Sequence, residues 1–188
     1  YTELVQGIAD NLHHILKSSV HSPLISEYQN LSWAFVQLYA WATHVNDNHT
    51  MQWIKNTTEE QFLHPKASLD VDREGRGDFF SLWGLQVYLI YTVLGPEVLK
   101  HWLGEASNLE VVQNLKTDHH LAIHASRAWG LYSAYCATSD QIWKAAYDRP
   151  VRAAIDLHPI WKADRKAYAH WVPQFTLYAL LMNKEEWV

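Results

Sequence analysis

The chain has 188 residues, 48% of them apolar and 19% charged, and a net charge of −5 with histidine neutral. That composition fits one folded domain spanning residues 1–188 and excludes a disordered chain. The acidic balance argues against nucleic acid as a partner, because neutralising phosphates takes Lys and Arg, and it suits a basic protein surface.

Seven glycines and six prolines are too few for an all-β chain with many tight turns, whereas ten Trp, ten Tyr and twelve His are unusually many. The single cysteine, Cys136, cannot form an internal disulfide. That fits a reducing compartment, and its apolar context predicts a buried thiol. The longest apolar run, around Leu82–Gly95, falls short of the ~18–20 residues a membrane-spanning helix needs. No secretory leader is read at the start.

Helical periodicity dominates in chain order. Leu4, Val5, Ile8, Leu12, Ile15 and Leu16 form one stripe and predict a first helix buried along it. Ser22-Pro23 reads as a cap followed by proline at a first helical position. The next helix directs Leu31, Phe35, Leu38 and Ala42 inward and stops near Asn46-Asp47-Asn48. A shorter helix follows through Met51, Trp53 and Ile54. Residues His64–Asp78 read as a loop, with proline, two glycines and clustered charge.

A hydrophobic helix is expected from Phe79 to Leu94. Gly95-Pro96 should end it and start another. A long helix over Leu109–Thr138, with a possible new start at Asp118, should end at Ser139-Asp140. Two short helices, Gln141–Tyr147 and Val151–Asp164, and a last one, Pro173–Met182, complete an all-α chain.

A Tyr preceded by an apolar residue recurs at Tyr39, Tyr88, Tyr132 and Tyr178, spaced 49, 44 and 46 residues apart. After the first three, a turn falls seven residues on, at Asn46, Gly95 and Ser139; the last copy is shorter and runs to Asn183. Each turn is followed by a Trp: Trp53, Trp102, Trp143 and Trp187. A period of this length predicts an irregular repeat of stacked antiparallel helix pairs, since one pair cannot bury its apolar face alone. Tyr and Trp suit the seam between pairs, each offering a large apolar body and one polar handle.

Few residues are arranged for catalysis. Phosphate-binding glycine loops, nucleophile elbows and Cys-x-x-Cys are missing from the sequence, so no enzyme is expected. His120 and His124 share a helix face at i,i+4 and are the best metal pair, beside Asp118 and His119. The glutamate that zinc-protease helices carry next to the first histidine is replaced by Leu121. A small helical metalloprotein using His120, His124 and a third ligand is the alternative reading; the leading one needs no cofactor.

Between Glu59 and Asp78 six acids (Glu59, Glu60, Asp70, Asp72, Glu74 and Asp78) face three bases (Lys66, Arg73 and Arg76). This segment is either a solvated surface or a partner-binding loop whose charge would speed association with a basic protein.

The C-terminal stretch from Val151 to Met182 carries Leu157-His158, Ile160-Trp161, Ala163-Asp164 and a closing apolar helix with Leu177, Ala179 and Leu180. This arrangement resembles the C-terminal part of immunity protein family forty-nine, an all-helical family of bacterial polymorphic-toxin systems. The resemblance implies a cytoplasmic protein that binds and neutralises a cognate toxin through a non-covalent complex. His158 and Trp161 are then expected to be structural, with Trp161 packed between helices. The oligomeric state is not legible.

Overall fold

The computed structural model of the chain describes residues 2–25, 30–70, 80–104, 118–168 and 171–184, and the regular elements among these described residues are α-helices. They are α1 (Thr2–Ser18), α2 (Ser32–His44), α3 (Asn48–Gln61), α4 (Leu82–Leu94), α5 (Pro96–Leu103), α6 (Asp118–Thr138), α7 (Gln141–Asp156), α8 (His158–Ala163), α9 (Arg165–Tyr168) and α10 (Trp171–Met182).

Short polar side chains set the boundaries. Between α2 and α3, Asn46 takes φ 58°, a left-handed conformation that asparagine tolerates. Asp47 then caps α3, its Oδ1 accepting from the Thr50 amide at 3.0 Å. Ser81 caps α4 by accepting from the Gly84 amide at 2.8 Å. Gly95, at φ 93°, ends α4, and Pro96 opens α5. Asp140 caps α7 through the Ile142 amide at 2.9 Å.

Three local expectations are corrected. Ser22-Pro23 starts no helix. It forms a turn in which Ser22 Oγ accepts from the Leu24 amide at 3.2 Å, and the next described helix begins at Ser32. Pro150 does not separate two short helices but sits buried inside α7. It forfeits one backbone bond, and the helix continues because Trp143, Tyr147, Val151 and Ala154 are all buried along its length. The α1 stripe is not buried as a whole. Leu16 is fully covered, but Leu4, Val5, Ile8 and Ile15 are exposed, because α1 packs mainly on α2.

Helix packing follows chain order. α1 packs on α2, α2 and α3 on α4, α4 and α5 on α6, α6 on α7, and α10 on both α6 and α7. The result is a single helical bundle with the all-α class read from the sequence. Aromatic contacts tie its two ends together. Trp129 of α6 is fully buried and meets Trp33, Phe80, Tyr88, Phe175 and Tyr178, while its Nε1 donates to the Phe175 carbonyl at 3.2 Å.

Two of the recurring tyrosines meet there, the hydroxyls of Tyr88 and Tyr178 lying 2.5 Å apart. The recurring tryptophans are spread through the bundle rather than lined along one seam. Trp53 packs on His13 and Phe35, Trp102 donates to the Leu63 carbonyl, and Trp143 stacks on Trp83. Trp187 lies outside the described residues.

Gln86, fully buried on α4, holds the turn after α3. Its Nε2 donates to the Phe62 and Pro65 carbonyls at 2.6 and 3.0 Å, and its Oε1 accepts from the Ala67 amide at 2.7 Å. Gln86→Leu keeps the volume but strands these backbone groups. Chemical denaturation should show a loss of about 1–2 kcal/mol, less than three separate deletions because the turn can yield one carbonyl to water.

Candidate partner-binding surface

Exposed apolar surface collects where the C-terminal helices meet. Ile155 of α7, His158 and Trp161 of α8, and Thr176, Leu177 and Leu180 of α10 line a groove of about 370 Å³. Ile155 is 40% exposed and Leu177 57%. Ile160 and Leu181, on the same helices, are each more than half exposed. A large apolar patch left open to water is costly at about 25 cal/mol per Å² and commonly marks a contact surface.

The groove is built entirely from residues of the segment Val151–Met182. Trp161 Nε1 donates to the Ala154 carbonyl at 2.9 Å, folding α8 back against α7. The His158 ring meets the Trp161 ring edge-on at 4.5 Å. Trp161 therefore shapes the groove by holding one of its walls. Thr176, only 5% exposed, contributes a buried Oγ1 without a partner among the described residues. With the His158 imidazole it is one of the polar groups in a mainly apolar lining. A second apolar groove, also about 370 Å³, runs between α1 and α2 past Val5, Ile8, Leu12, Leu38 and Trp41.

The described acidic candidates lie elsewhere. Glu59 and Glu60 are exposed near the end of α3, which packs on α2 and α4, and Asp70 is half-buried. Asp72, Glu74 and Asp78 lie outside the described residues. The described acids are thus not part of the C-terminal groove.

His120 and His124 share α6, the first half-buried and the second buried. Among the described residues there is no group of three or more His, Cys, Asp or Glu side chains that could hold a metal ion. The side chains of Asp118 and His119 lie outside the description.

Cys136 is exposed, which corrects the expectation of a buried thiol. It shares a hollow of about 720 Å³ with Tyr88, Tyr91, Tyr132 and Met182. Desolvation pushes its thiol pKa up, against opposing hydrogen bonds with Tyr91 and Tyr132. Burial, and then the contact with Tyr178, holds the Tyr88 phenol far above its ordinary range, and burial pushes Tyr132 up to about 12. At neutral pH these groups stay protonated, so the hollow offers hydrogen bonds rather than a thiolate nucleophile. In the sequence this cluster shows only as the i,i+4 spacing of Tyr132 and Cys136, which sequence reasoning did not single out.

No helix among the described residues is long and apolar enough to cross a membrane. No family model, curated protein or solved structure matches the chain.

Proposed function

We propose that the protein is a helical immunity protein that neutralises a cognate bacterial toxin by non-covalent binding, with the α7–α8–α10 groove as its docking face. The observation that carries this reading is the coincidence of two features in Val151–Met182. The segment resembling the immunity family is the one that leaves Ile155 and Leu177 exposed around a groove. The occupant is an apolar projection on the toxin, which matches the groove lining. The acidic balance of the whole chain, with Glu59 and Glu60 exposed away from the groove, favours encounter with a toxin of basic net charge. Such a role needs a stable scaffold and a complementary surface, and no catalytic group of its own.

The variant Leu177→Asp tests the docking face. A carboxylate placed at the centre of a desolvated interface loses its water without gaining a partner. Titration against the toxin encoded beside this protein's gene should show affinity weakened by about 30-fold or more. The same variant's melting curve should stay close to that of the parent, because the side chain is mostly exposed. Unchanged affinity in the folded variant removes the groove from the interface.

A further inference from the structure

Two histidines sit at the seat of α1 with one ring nitrogen each sealed from water and unpartnered among the described residues: His13 Nε2 and His21 Nδ1. The His13 ring lies 4.7 Å from that of Trp53 on α3. The His21 ring, just after α1, lies edge-on to Phe35 of α2 at 4.8 Å and is stacked with Phe62 after α3 at 6.4 Å. α1 packs chiefly on α2, and its Leu4, Ile8 and Ile15 face water, so its seat is shallow.

We propose that α1 is a pH-released strap: protonating His13 and His21 detaches it from α2 and α3 while α4, α6, α7 and α10 stay packed. A neutral imidazole can leave one nitrogen against an apolar ring at small cost. Protonation puts an N–H and a positive charge there, with no hydrogen-bond partner among the described residues. The charged groups acting on His13 are Lys17 and Asp10 of α1 and Asp47 and His49 at the start of α3. Lys17 and His49 oppose the added charge, and the two carboxylates favour it. Around His21, burial against Phe35 and Phe62 opposes it by stripping water from the ring, and the Leu16 carbonyl favours it more weakly.

Burial is the largest influence on both and lowers both pKa values below the ordinary 6.5. A base whose folded pKa is depressed stabilises the seat fully above pH 6.5. That contribution is lost as the pH falls below it, because the detached helix then binds more protons. Release would uncover the apolar surface beneath Ala9, Leu12 and Leu16, giving a folded protein whose binding surface changes with acidity.

Hydrogen exchange on the full chain, corrected for the intrinsic pH dependence of exchange, tests this. Between pH 7.5 and 5, protection of residues 2–18 should fall at least tenfold while residues 118–138 hold theirs. His13→Leu combined with His21→Phe should keep α1 protected at pH 5. If that variant does not fold, His13→Gln and His21→Gln alone should each lessen the loss. The proposal is overturned if α1 protection does not change with pH, if α1 and α6 lose protection together, or if the folded histidine variants lose α1 protection as the parent does.

Discussion

Trp129→Ala should lower the unfolding free energy by about 3–5 kcal/mol, the range for removing a large aromatic from a close-packed core. Trp129 is fully buried, and its indole is the common neighbour of rings from α2, α4 and α10. Truncation leaves a void that five aromatic side chains would have to close at once. It also removes the donor to the Phe175 carbonyl. Urea denaturation followed by far-UV circular dichroism reads the effect directly. Phe175→Ala should couple strongly to it, since the two side chains share one contact and their losses cannot add.

Gly130→Ala should also destabilise, by about 2–3 kcal/mol, although alanine favours a helix over glycine by about 1 kcal/mol. A Cβ at Gly130 would stand 2.7 Å from both the Cα and the carbonyl oxygen of Gly84. A Cβ at Gly84 would stand 2.6 Å from the Ser126 carbonyl oxygen and 2.7 Å from the Arg127 Cα. These obstacles are backbone, which cannot swing aside, so α4 and α6 would have to separate. Either substitution opens the same gap. The double variant Gly84→Ala with Gly130→Ala should therefore cost much less than the sum of the two, measured by the same denaturation.

The fold was legible where one local rule acted without competition. Asp47, Gly95-Pro96 and Ser139-Asp140 ended or started helices where cap and turn chemistry placed them. Sequence reasoning failed where tertiary packing overrode a local preference. Two helices were expected on either side of residues 148–150, yet packing along α7 carries one helix through Pro150. The α1 stripe predicted burial, but periodicity identifies an apolar face without saying whether a neighbour covers it.

The site was less legible because it depends on contacts distant in sequence. Ile155 and Leu177 are ordinary helical apolar residues until α7 and α10 are placed side by side with both left exposed. The Tyr88–Tyr178 pair joins residues 90 positions apart. The tyrosine spacing singled out both residues but gave no reason for the second and fourth copies to meet. Acidic composition drew attention to Glu59 and Glu60, which belong to a different part of the bundle from the groove.

The most direct measurement of the proposed function is growth of cells expressing the toxin encoded beside this gene, with the parent protein or with Leu177→Asp supplied in trans at matched soluble levels. Full rescue by the parent and markedly weaker rescue by the folded variant are expected. Failure of the soluble parent to protect the cells would contradict the immunity function.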